Sequence, residues 1–435
     1  MKNFVILGAS GDLAREKLFP ALWEIFQRGY KCDYVGYGRS LIPDDQFRQI
    51  VRGSVPSATD DFISRFSYIS GEYNASGLRK LKDALHEGVN TFYLSIPTRI
   101  EIVRELVSGF NKVGLFDGEY QLIVEKPFGA DYSSATELMS VLKENAREEN
   151  LFLIDHYLAK DLVRNLITLR FANPIFENVW SNKFIQKIEI QALEDSGINN
   201  RGEYYDNTGA IRDMIQNHVL QVLSLVLMNR PSSFDTSSMI KEKRRILEDL
   251  QMFEGDFGSN IRIGQYKGFL DEKFIDKESV TETFASLKVE VANERWKGVP
   301  ILLTTGKKQK EKRTQVSVYF KGIQDCLWDK DCLAITQNKL EINIHPENDV
   351  RLYINSKIRS SDQGLKQIPL RFGFADEADL SLPYANALVD IYNKDRSYTP
   401  SIEEILLSWK FIDKVEEWLG DKRKELLTLY SGKTY

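Results

Sequence analysis

Residues Phe4-Val5-Ile6-Leu7-Gly8-Ala9-Ser10-Gly11-Asp12-Leu13-Ala14 decide how the first part of the chain folds. Four apolar residues suited to a strand run into a glycine turn, and a helical pattern follows to about Gln27. A turn this tight needs glycine for its dihedrals and for close approach of the backbone to a ligand. The helix behind it offers unpaired N–H groups and a positive dipole end to a pyrophosphate. The spacing is Gly-x-x-Gly-x-x-Ala rather than Gly-x-Gly-x-x-Gly, and by its glycines alone it is also an ordinary turn. Its position carries more weight, because it opens a series of βαβ units.

Working outward, Tyr34-Val35-Gly36-Tyr37, Thr91-Phe92-Tyr93-Leu94, Gln121-Leu122-Ile123-Val124 and Leu151-Phe152-Leu153-Ile154 read as strands. Amphipathic stretches such as 100–113 and 133–147 separate them. That alternation predicts an α/β domain built on a parallel sheet, over residues 1–171. Beyond Phe171 the pattern changes. Period-two alternation recurs at 187–193, 283–291, 315–320, 339–344 and 351–354, with helical segments at 209–228, 237–250, 384–392 and 401–418. Residues 172–435 are therefore expected to form an α+β domain around a larger, mainly antiparallel sheet with flanking helices.

Composition narrows the classes of function. A chain of 435 residues holds two or three domains, since single cores stop growing near roughly 250 residues. Lys+Arg 58 against Asp+Glu 63 gives a net charge of −5, which leaves no basic excess for a nucleic acid. No apolar run approaches the roughly 18 residues of a membrane span, and Met1-Lys2-Asn3-Phe4 has no signal-peptide layout. Cys32, Cys326 and Cys332 are odd in number and lack Cys-x-x-Cys spacing, arguing against a disulfide framework and a structural metal. A cytoplasmic protein without nucleic-acid or membrane partners is expected.

Three further motifs carry chemistry. At the end of the second strand, where an acid would bond a ribose 2′-hydroxyl, the chain reads Gly36-Tyr37-Gly38-Arg39-Ser40. A guanidinium and a hydroxyl there suit a 2′-phosphate, favouring NADP with NAD as the alternative; Arg39 on its own is equally a solvated surface charge. Lys126-Pro127-Phe128-Gly129 ends a buried strand, and the proline holds Lys126 at the sheet's ligand-binding edge. The third motif is Asp155-His156-Tyr157-Leu158-Ala159-Lys160. With a helix beginning near Leu158, His156 and Lys160 fall at i and i+4 and grip one phosphate together with the Tyr157 hydroxyl. Only four histidines occur, and His218 lies in a helix with a broad apolar face. Imidazole, with an unperturbed pKa of about 6.5, suits a base that deprotonates an alcohol. A carboxylate on its other nitrogen would fix the tautomer, and Asp155 is the candidate.

With these blocks in order, together with Phe92-Tyr93-Leu94-Ser95-Ile96-Pro97, Arg201-Gly202-Glu203-Tyr204-Tyr205-Asp206, Ile211-Arg212-Asp213-Met214-Ile215-Gln216-Asn217-His218 and Trp296-Lys297-Gly298-Val299-Pro300, the chain resembles the glucose-6-phosphate dehydrogenase family. The resemblance implies a Rossmann domain, a doubly wound parallel sheet, followed by a substrate-binding and dimerisation domain in a homodimer or homotetramer. It implies oxidation of C1 of glucose 6-phosphate to 6-phosphogluconolactone with hydride passing to NADP, the first step of the oxidative pentose phosphate pathway. By motif matching, His218 is implied as the base and Asp155 as its partner, with His156, Tyr157 and Lys160 on the phosphate. Glu194, Asp213, Lys307 and Lys312 correspond to sugar-contacting positions, and Lys17 and Lys126 to residues near both ligands. Gly8, Ala9, Ser10, Gly11, Asp12, Leu13, Arg39, Ser40, Pro97 and Lys126 fall to the cofactor. Ala159 replaces the family's glycine, Glu203 departs from its Arg-Gly-Gly or Arg-Ala-Gly, and the loops around 267–278 are compact. These departures keep two alternatives open: the same chemistry on another hexose or hexose phosphate, and a catalytically silent nucleotide-binding homologue.

Overall fold

The computed structural model describes residues 2–323, 335–358, 365–373 and 382–432; Cys326 and Cys332 lie outside them. The chain divides into two compact units that interleave in sequence. The first comprises Met1–Lys160, Ser233–Ile240 and Ser381–Leu406, and the second Asp161–Ser232, Lys241–Leu380 and Leu407–Tyr435.

The first unit contains a parallel sheet of six strands among the described residues: β1 (Asn3–Leu7), β2 (Asp33–Gly38), β3 (Phe66–Ser70), β4 (Asn90–Leu94), β5 (Tyr120–Glu125) and β6 (Leu151–Ile154). Their order is β3-β2-β1-β4-β5-β6. Every residue of β1 and β5 is buried, as expected of strands covered by helices on both faces. The sequence pattern missed β3, whose Phe66-Ser67-Tyr68-Ile69-Ser70 sits at the sheet edge and buries only Phe66 and Tyr68. Helix Pro383–Tyr392 joins this unit, its Ala385, Leu388 and Ile391 entering the same apolar core as Leu18, Leu22 and Ile25.

The second unit holds a mixed sheet: β7 (Ile185–Leu193), β8 (Leu250–Met252), β9 (Ile261–Tyr266), β10 (Phe284–Val291), β11 (Ile301–Gly306), β12 (Arg313–Phe320), β13 (Lys339–His345), β14 (Asp349–Lys357), β15 (Leu365–Gly373) and β16 (Leu427–Tyr430). The order is β15-β14-β13-β12-β7-β11-β10-β9-β16, with β8 on β10. Most pairs are antiparallel, but β11 runs parallel to β7 and β16 parallel to β9. The expected helix over 209–228 is broken at Gly209, continues as a π-helix Ile211–Val219, and ends as an α-helix Leu220–Leu227 whose residues are all buried. The last carbonyls of a helix lack internal partners. Here the fully buried Trp180 and Trp296 donate their indole N–H groups to the carbonyls of Val226 and Leu227 at 2.8 Å each, and Arg170 donates to Leu225 at 3.2 Å.

Among the described residues, no helix is long and apolar enough to cross a membrane.

Candidate active site

In the first unit, β1 and β4 are neighbours although two strands intervene in sequence. This is a switch point of the topology, and ligands bind at the carboxyl edge there. Gly8 sits at that edge with φ +86°, its N–H donating to the Tyr37 carbonyl at 2.8 Å. A Cβ at this position would collide with the Ser95 carbonyl and stand 2.8 Å from the Ile96 side chain, so only glycine fits. Gly11 N–H closes the turn onto the Gly8 carbonyl at 3.0 Å, and Arg15 N–H then donates to Gly11 at 3.2 Å. Ala9 is buried, Ser10 and Leu13 are half-buried, and Gly11 and Asp12 are exposed at the start of the helix. A π-turn, Ala14–Leu18, follows and leaves Lys17 exposed. The Ser95 hydroxyl is buried without a hydrogen-bond partner beside Gly8, a polar group that a bound ligand can satisfy. Pro97 is exposed beyond β4, and Arg39 and Ser40 beyond β2. The Arg39 guanidinium lies 6.0 Å from the Tyr73 ring centre, and the Ser40 carbonyl accepts from Ser70 Oγ at 2.7 Å. Glycine turn, helix start, orphaned hydroxyl and open guanidinium together fit a dinucleotide.

Further along the same edge, Lys126 is half-buried after β5 and its bond to Pro127 is cis. Asp155 is buried at the end of β6. The expected helix from Leu158 does not form there. The Asp155 carboxylate accepts from Tyr157 N–H at 2.9 Å and its carbonyl accepts from Leu158 N–H at 3.1 Å. These local bonds compete with helical ones, so turns span 156–160 and the helix begins at Asp161. The turns still gather the predicted phosphate group: the His156 and Tyr157 ring centres are 5.1 Å apart, and Lys160 Nζ lies 3.7 Å from the Tyr157 ring centre. Ala159 is 3% exposed within the apolar core, and its carbonyl accepts from Asn386 at 3.0 Å.

Sequence reasoning missed Glu125. Its buried carboxylate accepts from the Tyr93 and Tyr384 hydroxyls, and the Tyr384 ring lies nearly parallel to His156, 6.1 Å between centres and 11° between planes. Burial pushes the Glu125 carboxyl up to about 7, against the two tyrosine bonds and Lys126 that lower it. An acid with a raised folded-state pKa contributes full stability below its unfolded value near 4.5 and loses that contribution as pH rises through 7. The loss is roughly 3 kcal/mol across this window. Glu125→Gln is therefore expected to flatten the pH dependence of unfolding between pH 4.5 and 7 and to unfold at higher temperature than the parent above pH 7. Identical pH dependence of both proteins in denaturant titrations would refute this.

In the second unit, parallel β7 and β11 are in register with Leu193 opposite Gly306. The residues that follow each strand are therefore neighbours. Glu194 N–H donates to the Gly306 carbonyl at 2.9 Å, and Lys307, 6% exposed, pairs through Nζ with the Glu194 carboxylate. Asp213, at the start of the π-helix, stands 3.9 Å from Lys307 Nζ. It also accepts from Arg201 at 3.4 Å and from the Tyr204 hydroxyl at 3.3 Å, two residues that motif matching did not single out. Because i→i+5 bonding stacks residues five apart, Asp213 and the buried His218 share one face of this helix; ordinary 3.6-residue periodicity would have splayed them. Lys312 is exposed in the run before β12. The cluster of two acids, a lysine and an arginine offers paired acceptors and donors suited to a polyhydroxylated ligand.

Comparison with known proteins gives this arrangement a context. Residues 5–165 match the family model for the glucose-6-phosphate dehydrogenase NAD binding domain, and residues 167–435 that for the C-terminal domain. Glucose-6-phosphate 1-dehydrogenase of Chlamydia pneumoniae is 34% identical over 96% of this chain and 89% of its own length, and that of Bacillus subtilis 33% identical over 96% and 92%. A solved structure of glucose-6-phosphate dehydrogenase in complex with its substrate glucose-6-phosphate superposes with a TM-score of 0.91 at 31% identity, covering 100% of this chain and 95% of that one. The X-ray structure of glucose-6-phosphate 1-dehydrogenase from Mycobacterium avium gives 0.89 at 29% identity, over 99% and 94%. Two domain models in sequence order, relatives matched along almost their whole length and the same fold throughout establish that the chain belongs to the glucose-6-phosphate dehydrogenase family.

Proposed function

We propose that the protein oxidises glucose 6-phosphate at C1 to 6-phosphogluconolactone, with NADP as the preferred hydride acceptor. The observation that carries the reading is the Glu194–Lys307–Asp213 cluster, in which Glu194 and Lys307 at the carboxyl ends of β7 and β11 meet Asp213 of the helix that also bears His218. Glu194, Asp213 and Lys307 bind and orient the sugar hydroxyls. His156, Tyr157 and Lys160 hold the phosphate, with Lys17 and Lys126 near both ligands; Lys312, exposed before β12, supplies a further contact to the sugar. His218 takes the proton of the C1 hydroxyl, with Asp155 as the carboxylate that keeps its tautomer. The nicotinamide ring supplies the hydride-accepting carbon. Gly8 to Leu13 and Pro97 seat the dinucleotide, and Arg39 with Ser40 takes the 2′-phosphate. A homodimer or homotetramer in the cytoplasm belongs to the same proposal.

A different sugar and a silent homologue are not favoured. The added methyl of Ala159 packs into the apolar core, so it does not occupy space a phosphate would need.

Initial rates of cofactor reduction, with glucose 6-phosphate, other hexose phosphates and free glucose against each nicotinamide cofactor, test the proposal. Glucose 6-phosphate with NADP is expected to be fastest. Arg39→Asp is expected to raise KM for NADP about 10- to 100-fold, the value of one charge-assisted contact, while leaving KM for NAD unchanged. Equal loss with both cofactors would remove Arg39 from the 2′-phosphate site.

A further inference from the structure

The helix bearing Asp213 and His218 begins abruptly. Gly209, at φ +70° and ψ 175°, ends the preceding helix, and a new run starts at Ala210. The first N–H groups of a helix lack internal partners. Here one residue takes two of them: Ala210 N–H donates to the Glu282 carbonyl at 3.0 Å, and Ile211 N–H donates to the Glu282 carboxylate at 3.0 Å. Glu282 is 1% exposed. A Cβ on residue 209 would stand 2.8 Å from its carboxyl carbon, so glycine there admits the carboxylate. Arg423 pairs with the other carboxylate oxygen and with Glu416 at 2.6 Å, and Glu416 also accepts from Arg212 of the same helix at 2.7 Å. With the two indoles and Arg170 at its far end, the helix is fixed at both termini.

We infer that Glu282, clamped by Arg423, is a positioning residue for the reaction: its carboxylate sets the direction of the helix that presents Asp213 and His218. The inference rests on the proposed oxidation of glucose 6-phosphate. None of the residues assigned to the cofactor lies on this helix, so a fault in the clasp disturbs sugar chemistry and spares cofactor binding. A general loss of folding would disturb both.

The test uses the full-length protein. Turnover of glucose 6-phosphate by the parent is measured first, and its absence counts against the reaction, not against the clasp. Glu282→Asp keeps the charge but withdraws the acceptor by one methylene, whereas Glu282→Gln keeps an oxygen at the same reach. Glu282→Asp is expected to lower kcat/KM for glucose 6-phosphate about 100-fold, the scale of a displacement of roughly 1 Å in reacting groups. Glu282→Gln is expected to stay within about fivefold, the cost of exchanging a charged for a neutral acceptor. Both should bind NADP, followed by fluorescence titration, as tightly as the parent. Gly209→Ala, which pushes the carboxylate aside from the opposite direction, is expected to reproduce the Asp pattern. Equal turnover of the Asp and Gln variants, or loss of cofactor affinity in step with sugar turnover, would overturn the inference.

Discussion

His218→Asn is expected to lower kcat by about 10²- to 10⁴-fold, the range supplied by a positioned general base. The buried imidazole shares the helix face of Asp213, whose Lys307, Arg201 and Tyr204 contacts stay intact in the variant. Asparagine preserves polarity and approximate size but takes up no proton near neutrality. KM for the sugar should therefore change little, because the proposal assigns binding to the cluster at the strand ends and to residues 156–160. A variant that kept most of its turnover, or that lost it only through a higher KM, would assign the base elsewhere.

Lys160→Ala should act on binding instead. The ammonium lies over the Tyr157 ring beside His156, and in the proposed role it would supply a charge-assisted contact worth about 1.5–3 kcal/mol to a phosphate. KM for glucose 6-phosphate is expected to rise about 10- to 150-fold on that basis, with kcat reduced far less. Preference for the phosphorylated sugar over free glucose should fall by the same factor, since glucose never used the contact. If the variant bound glucose 6-phosphate as the parent does, the phosphate would sit away from residues 156–160.

Much of this was legible from residues. The glycine turn after β1, the apolar strands of the parallel sheet and the period-two runs of the second sheet each follow from local pattern. The edge strand β3 escaped because only two of its side chains are buried, and β11 because it is buried almost throughout and shows no period-two alternation. The π-helix escaped for a different reason: hydrophobic periodicity of 3.6 describes α-helices, whereas Ile211–Val219 follows i→i+5 bonding. The same limit applies to the candidate site. Glu194 and Lys307 meet because two strands are in register, and Arg201 and Tyr204 reach Asp213 across a kink at Gly209. Glu125, which only precedes the lysine of its motif, and Glu282 each acquire partners, Tyr384 and Arg423, from far along the chain. Sequence spacing carries no signal for such contacts. The chain turns at 156–160 instead of starting a helix near Leu158, and the difference escaped because the competing bonds of the Asp155 side chain are not visible in a periodicity.

The most direct measurement follows the hydrogen itself. Glucose 6-phosphate carrying deuterium at C1 is incubated with the protein and NADP, and both products are examined by mass spectrometry and NMR. Transfer of the label to the reduced nicotinamide, with 6-phosphogluconolactone as the partner product and a slowed rate of reduction, is the predicted result. Reduced cofactor without label, or no reduction at all, would contradict oxidation at C1.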